Sequence, residues 1–262
     1  MDNEINAGDN PWPININSID QARKNYYAIL PEEENMRDIL PGTFVINRPK
    51  ANVGGDGFWF HKKDNLLFLA VYDCMGEGHL ASMMTRIYSN ALQKLVVDYK
   101  IEFPGAILQF IHREIQSRFK NKENIQLSTG ADLAIVRMDL ETGKLEFSGA
   151  GMDLLREKDQ KIEVIKGDAI KIGQLDTNSN EYNSTSIQNE GTSRYYLATD
   201  GVTDLIGGTS LKKLGIEHLK IILKNSLRYK MDQRKDKIWS DLMKWSGLKV
   251  QNDDILLISF EF

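Results

Sequence analysis

The sequence has a single cysteine, Cys74, so no intramolecular disulfide can form and metal sites that need two cysteines are excluded. Long hydrophobic runs are also missing. The longest, Leu66 to Tyr72, is seven residues, whereas a membrane-spanning helix needs about 20. The acidic, polar N-terminus has neither the basic start nor the apolar stretch of a signal peptide. These absences predict a cytoplasmic protein with no membrane insertion.

A surplus of positive charge is absent as well. The chain has 33 Lys and Arg against 37 Asp and Glu, a net charge of −4. A broad positive field, as expected of a protein that binds nucleic acid without sequence preference, is therefore excluded, and we expect no nucleic-acid partner. What is present is ordinary globular composition, 41% hydrophobic and 27% charged, in 262 residues that can build one large core.

The chain divides into three predicted parts. Residues 1–17 are rich in Asn, Asp and Pro, which predicts a flexible leader. Residues 18–41 hold two short helical patterns separated by Pro31, an N-terminal helical lead-in. Two interpretations of the lead-in stay open: the end of a coiled-coil linker or an element that forms a homodimer, and a helical cap packed on the domain. Residues 42–262 are the predicted main domain.

The order of elements in the main domain predicts its fold. Strand patterns come first, with a hairpin across the Asp64-Asn65 turn, and are followed by two helical stretches, a run of strands, two more helices and a final strand. Strand and helix do not alternate, which argues against a parallel sheet. The order predicts an α+β fold, a four-layer α/β/β/α sandwich of two antiparallel sheets flanked by helix pairs.

The four helical stretches are predicted at Leu80–Tyr99, Phe103–Phe119, Leu211–Ser226 and Asp232–Trp245. The first carries apolar residues at three- and four-residue steps, which predicts one buried stripe. Its members are Leu80, Met83, Met84, Ile87, Ala91, Leu95 and Tyr99.

Aspartates stand beside glycine or a second aspartate where four strands begin or end. The segments are Gly54-Gly55-Asp56, Tyr72-Asp73-Cys74-Met75-Gly76, Thr199-Asp200-Gly201 and Asn252-Asp253-Asp254. Any one of them alone is typical of a turn. Brought together at one end of a sandwich, such carboxylates need a positive partner, and oxygen ligands favour magnesium or manganese. Two such ions can activate water toward a phosphate ester, which makes a phosphate-ester hydrolase the sharpest hypothesis.

These segments, taken in order, resemble the metal-dependent protein serine/threonine phosphatases of type 2C (PPM), in their bacterial SpoIIE-like branch. The resemblance runs from about Leu30 to the C-terminus. It rests on the stretches RPKANVGGDGFWF, LAVYDCMGEGH, GADLAIV with LEFSGAG, YLATDGVTD and NDDILLI.

The resemblance implies a site with two Mn²⁺ or Mg²⁺ ions. Asp73 matches the aspartate that bridges both metals, and the Cys74 carbonyl matches a neighbouring ligand. Asp56 is expected to hold one metal, and Asp200 and Asp253 the other, so the four aspartates form the catalytic set. Asp254 is expected to orient its neighbour from outside the ligand set.

Further candidates surround that set, Gly201 among them because it directly follows Asp200. Asp132 could support another weakly held metal or form a structural hydrogen bond, and the second interpretation is favoured. Glu77 stands where many relatives carry histidine, and a carboxylic acid with a raised pKa could act there as general acid. Arg48 and Lys50 are candidate phosphate-binding cations, with a solvated strand-end charge as the alternative.

The resemblance also implies the substrate class, phosphoserine or phosphothreonine on a partner protein. In the bacterial branch that partner is typically an anti-sigma-factor antagonist of the STAS type. One alternative is a catalytically silent PPM-fold module that binds a phosphorylation-regulated partner, although the presence of all four ligand aspartates argues against it. A two-metal nuclease or cyclic-nucleotide hydrolase would share the clustered aspartates, but the acidic net charge makes it less favoured.

Overall fold

The computed structural model describes residues 16–76, 78–119, 130–174, 181–189, 191 and 193–262. Residues 1–15 of the predicted leader and the candidate acid Glu77 lie outside these ranges.

In chain order, helices α1 (Ile16–Ile29) and α2 (Glu33–Arg37) precede strands β1 (Phe44–Arg48), β2 (Asp56–Lys63) and β3 (Leu66–Cys74). Helices α3 (Gly78–Gln93) and α4 (Pro104–Phe119) follow, and then strands β4 (Ala131–Asp139), β5 (Lys144–Ala150), β6 (Leu154–Lys158), β7 (Lys161–Ile165), β8 (Thr185–Gln188) and β9 (Arg194–Ala198). The C-terminal part holds α5 (Asp200–Thr203), β10 (Ile206–Gly207), β11 (Lys212–Lys213), α6 (Gly215–Ser226), α7 (Met231–Ser246) and β12 (Ile255–Glu261).

The predicted four-layer sandwich is confirmed. One antiparallel sheet has the strand order β1-β12-β9-β6-β7 and the other β2-β3-β4-β5-β8. Apolar side chains of both sheets, among them Leu69, Val136, Leu197 and Ile258, form the central core. Helices α3 and α4 cover the outer face of the second sheet, and α6 and α7 cover that of the first. This arrangement buries both faces of each sheet, as the order of elements in the sequence requires.

The strand register brings the aspartate segments to one end of the sandwich. Asp56 at the start of β2 pairs with Asp73 near the end of β3, and Asp73 pairs in turn with Asp132 near the start of β4. In the other sheet, Asp200 follows β9 and Asp254 immediately precedes β12, its neighbour strand. The predicted convergence of these segments is therefore built into the strand pairing.

The buried stripe predicted for Leu80–Tyr99 is wrong at three positions. Leu80, Met83 and Tyr99 are exposed, and Met83 exposes 62% of its surface. The buried face carries Met84 and Leu95 of the predicted stripe, together with Ala81, Tyr88, Leu92 and Val96. Apolar residues lie on two faces of this helix, so spacing alone does not select the buried one. A π-helical turn at Lys94–Asp98 also adds a residue to the last turn and rotates Tyr99 outward.

Other element bounds differ from the sequence-based expectation. Helix α6 begins at Gly215 and not at Leu211, because the preceding residues form the small β10-β11 hairpin. The short strands β8, β10 and β11 were not predicted, since two to four residues carry too little periodicity. Helix α1 begins at Ile16, two residues before the predicted lead-in.

The two N-terminal helices pack on the sandwich. Tyr26, Leu30, Met36 and Leu40 are buried and belong to the central core. Helix α2 is also joined to α7 by an ion pair between Glu33 and Lys235, 2.7 Å apart. The cap interpretation of the lead-in agrees with these contacts, and its role in a homodimer stays a prediction. None of the helices in the described ranges is both long and apolar enough to cross a bilayer.

Candidate metal centre

Three carboxylates from three different elements form the closest cluster. Asp73, Asp132 and Asp200 each offer an oxygen within 4.8 Å of the other two. Asp73 and Asp132 are held by strand pairing, and Asp200 is the first residue of α5. The cluster thus joins the ends of both sheets, as a shared cation would require.

Asp56 is buried beside this cluster and is fixed from two directions. Thr199, the residue before Asp200, donates its hydroxyl to Asp56 Oδ2 at 2.7 Å. The Tyr26 hydroxyl of α1 donates to the backbone carbonyl of Asp56, also at 2.7 Å. Thr199 itself is anchored on β12, where its backbone N–H donates to the Leu256 carbonyl. These bonds fix the carboxylate and the backbone carbonyl of Asp56.

Asp254 organises the loop before β2 through backbone hydrogen bonds. Its carboxylate accepts the backbone N–H of Lys50 at 2.7 Å and that of Gly55 at 2.6 Å. Asp253 is exposed, and its Oδ1 accepts the Asp254 backbone N–H at 2.8 Å. The two neighbouring aspartates therefore have different roles. Asp254 holds the backbone of the loop before β2, whereas Asp253 keeps its second carboxylate oxygen for other partners.

Glycines let the backbone of these segments approach closely. A Cβ at Gly55 would lie 2.7 Å from the Cys74 carbonyl oxygen, so only glycine fits beside that oxygen. A Cβ at Gly201 would clash with the Asp254 carbonyl. Thr85 of α3 completes the packing by donating its hydroxyl to the Gly55 carbonyl at 3.1 Å.

Asp132 has one paired and one unpaired oxygen. Lys171 Nζ lies 2.8 Å from Asp132 Oδ2. Asp132 is only 8% exposed, and within the described ranges its Oδ1 has no hydrogen-bond partner. Gly151, at φ +73°, leaves the space beside Oδ1, because a Cβ there would collide with it. A buried carboxylate oxygen without a donor is costly, so this atom indicates a missing cation or donor.

The electrostatics of the cluster favour a bound cation. Burial, followed by the charge of Asp73, raises the pKa of Asp56 well above its usual value. Burial and then Asp200 raise the pKa of Asp73 to about 8. Burial is also the main cause of the raised pKa of Asp132 and of Asp253. A divalent ion would relieve both the repulsion and the lost solvation, and an all-oxygen donor set suits Mg²⁺ or Mn²⁺. The residues present therefore fit the metals that the sequence predicts.

The two candidate phosphate-binding cations lie in different surroundings. The Arg48 guanidinium stacks over the Trp239 ring, 5.2 Å from its centroid. Lys50 lines a cavity of about 440 Å³ together with Asp253, Asp254 and the loop glycines. Its charge also lowers the pKa of Asp253, against the larger effect of burial. Of the two cations, Lys50 is the one placed beside the candidate ligands.

Comparison with known proteins identifies the family. Residues 63–262 match the model of the family described as Stage II sporulation protein E (SpoIIE). The chain belongs to the SpoIIE family. No curated protein matches this chain.

Solved structures share the fold. The SiaA-PP2C domain of Pseudomonas aeruginosa is 25% identical, with a TM-score of 0.83 over 94% of this chain and 95% of that one. The PP2C phosphatase domain and regulatory fragment of SpoIIE from Bacillus subtilis is 14% identical, with a TM-score of 0.66 over 83% of this chain and 62% of that one. RsbX in complex with magnesium is 18% identical, with a TM-score of 0.56 over 84% of this chain and 94% of that one. This SpoIIE-family chain is thus homologous to PP2C-type protein serine/threonine phosphatase domains.

The aspartates of this SpoIIE-family site are recognisable in the sequence, but the residues that hold them are not. Thr199 and Tyr26 act through side-chain hydroxyls across long sequence separations, which no local pattern indicates. Lys171 lies in the irregular segment after β7, and no signal in the sequence pointed to it. Asp132 was expected to form a structural hydrogen bond, and its bond to Lys171 exists alongside its place in the carboxylate cluster.

Proposed function

We propose that this chain hydrolyses phosphoserine or phosphothreonine on a partner protein with the help of two divalent ions, Mn²⁺ or Mg²⁺. The proposed ligands are Asp56, Asp73, the Cys74 carbonyl, Asp200 and Asp253. The observation that carries the proposal is the convergence of these aspartates, from both sheets, at one end of a SpoIIE-family sandwich.

Divalent ions held at these carboxylates supply positive charge for a phosphate group and lower the pKa of a coordinated water. Asp73 is the central carboxylate, because its strand lies between those of Asp56 and Asp132. It is therefore the residue best placed to coordinate ions on both sides. Asp253 and Asp200, from the other sheet, complete the set from across the sandwich.

The surrounding residues prepare this site before substrate arrives. Thr199 and Tyr26 fix Asp56 from opposite ends of the residue, its carboxylate and its carbonyl. Asp254 ties the Gly55 backbone to the start of β12. Such preorganisation matters because ligands held in place need no reordering when an ion or a phosphate binds.

Open space on both sides of the carboxylates supports access by a protein substrate. A cavity of about 270 Å³ is lined by Asp132 and Asp200 together with Gly151, Ile216 and Lys213. The glycine-lined cavity beside Asp253 holds Lys50 at its rim. A phosphoserine side chain and its neighbours can approach where side chains are small, and Lys50 can contribute charge to the phosphate.

The partner is proposed to be a phosphorylated STAS-type antagonist or a similar bacterial signalling protein. The support for this class is the sequence resemblance to the SpoIIE-like branch. The acidic net charge of the chain argues against a nucleic-acid partner.

The test is phosphate release from a phosphoserine peptide and from p-nitrophenyl phosphate, with Mn²⁺, with Mg²⁺ and with a chelator. Wild type is expected to release phosphate only when metal is present. Asp200→Asn is expected to lose at least about 100-fold in kcat/KM, because it removes a charged ligand from the cluster.

Asp241→Asn is the matched control, since Asp241 also pairs with a lysine, Lys237 at 2.6 Å on α7, and belongs neither to the carboxylate cluster nor to the cavity beside it. It is expected to keep activity within about threefold. Absence of release with either metal, together with tight binding of a phosphorylated partner, would contradict the enzyme and support the silent binding module.

A further inference from the structure

Asp132 is a buried anion whose cation is supplied by the chain itself. Asp132 is 8% exposed, and its carboxylate shares the cluster with Asp73 and Asp200, so its charge is repelled by two neighbours. Lys171 Nζ contacts Asp132 Oδ2 at 2.8 Å. Among the described residues, no other lysine or arginine forms an ion pair with a member of this cluster.

The position of Lys171 is fixed by its backbone neighbours. Ile172 and Ala131, the residue before Asp132, exchange both backbone hydrogen bonds at 2.9 and 3.2 Å. The next residue, Gly173, donates its N–H to His112 Nδ1 of α4 at 3.2 Å. The segment that carries Lys171 is therefore attached directly beside Asp132. These backbone hydrogen bonds place the ammonium at the cluster.

The ammonium does not satisfy the whole carboxylate. Asp132 Oδ1 has no hydrogen-bond partner within the described ranges, and Gly151 leaves space beside it. Meanwhile 43% of the Lys171 side chain is exposed, so its head group can move into solvent without breaking the segment. Asp132 thus retains the geometry of a metal ligand while it is neutralised by a lysine.

We propose that the Lys171 ammonium occupies the cation position at Asp132 and thereby excludes a further divalent ion from the Asp73-Asp132-Asp200 cluster. Lys171 sets the number of ions that the site retains. This inference rests on the proposed metal centre, since it concerns how many ions that centre holds. One monovalent ammonium takes the place of one divalent ion, and a divalent ion can bind at Asp132 only if Lys171 leaves.

The test is calorimetric titration of the metal-free protein with Mn²⁺, which counts bound ions without reference to activity. Lys171→Met keeps a long, unbranched side chain at this position and removes its charge. The variant is expected to bind one ion more than wild type, or to bind its weakest ion at least about tenfold more tightly. A unit charge within about 4–6 Å has effects of this size on a neighbouring carboxylate. Lys171→Arg keeps the cation and is expected to titrate like wild type.

Two further variants test whether any extra ion binds at Asp132. Lys171→Met combined with Asp132→Asn is expected to lose the gain, because the ligand itself is gone. Lys166→Met is the matched control: Lys166 also pairs with an aspartate, Asp153 at 2.7 Å, but Asp153 does not belong to the cluster. It is expected to titrate like wild type.

The possible failures are distinct. A folded Lys171→Met protein that binds Mn²⁺ with wild-type number and affinity overturns the inference and leaves the metal centre intact. A gain that persists in the double variant places the extra ion elsewhere and also overturns it. A wild-type chain that binds no Mn²⁺ contradicts the proposed metal centre itself, and the inference falls with it.

Discussion

At the scale of single residues, the site depends on hydroxyl groups that reach the aspartates from distant elements. Tyr26 is the clearest case, because it carries an interaction from the N-terminal helix to the backbone of Asp56. The tyrosine is 2% exposed, so its hydroxyl has no access to bulk water. A helix outside the matched family region thereby contacts the residue proposed to hold a metal.

Tyr26→Phe tests this contact. The substitution keeps the buried ring and removes the hydroxyl donor, so the free energy of unfolding is expected to fall by about 1 kcal/mol. Chemical denaturation followed by circular dichroism measures it. Tyr27→Phe is the control, because the neighbouring ring is 41% exposed and its change is expected to stay within about 0.5 kcal/mol. Equal effects of the two substitutions would contradict a specific role for the Tyr26 hydroxyl.

At the scale of elements, helix α3 shows that periodicity can locate apolar residues, whereas packing decides which of them are buried. Met83 and Met84 are adjacent and chemically identical, yet Met83 is 62% exposed and Met84 only 1%. Met84 lies in the core between α3 and the second sheet, with Tyr88 and Leu92 on the same face.

Met84→Ala is expected to lower the free energy of unfolding by about 2–4 kcal/mol through the lost burial and the cavity that remains. Met83→Ala, on the exposed face of the same helix, is expected to change it by less than about 0.5 kcal/mol. Urea denaturation of both variants measures the difference. A larger loss for Met83→Ala would restore the buried stripe that the sequence predicted.

The same distinction explains how much of the molecule was predictable. The composition of long strands such as β3 and β4 predicts them directly, and the aspartates stand out because each lies at a strand end with glycine or a second aspartate within three residues. The short β8 and the π-helical turn that rotates Tyr99 outward have no comparable local signal. Lys171 could not be found either, because its partner Asp132 is 39 residues away and only the folded chain brings them together.

At the scale of the whole molecule, both sheets direct aspartates to the same end, and the metal-free protein must tolerate their repulsion. Burial and Asp200 raise the pKa of Asp73 from its ordinary 3.8 to about 8. A carboxyl with a raised folded pKa binds its proton more tightly in the folded than in the unfolded state. Stability of the metal-free protein therefore falls as the pH rises from about 4 to 8.

The direction of this pH dependence gives a prediction for Asp73→Asn. Asparagine carries no charge, so the variant is expected to be more stable than wild type in chelator at pH 8, by at least about 1 kcal/mol, with the advantage shrinking as the pH falls toward 4. Saturating Mn²⁺ is expected to reverse the order, because the ion stabilises only a protein that binds it. Asp38→Asn, at an exposed position on the lead-in, is the control and should change stability little under either condition. Denaturation curves at pH 5 and pH 8, with and without Mn²⁺, give the comparison. If Asp73→Asn were destabilising in chelator at pH 8, the carboxylates would not be repelling one another, and the argument that their convergence requires a cation would fail.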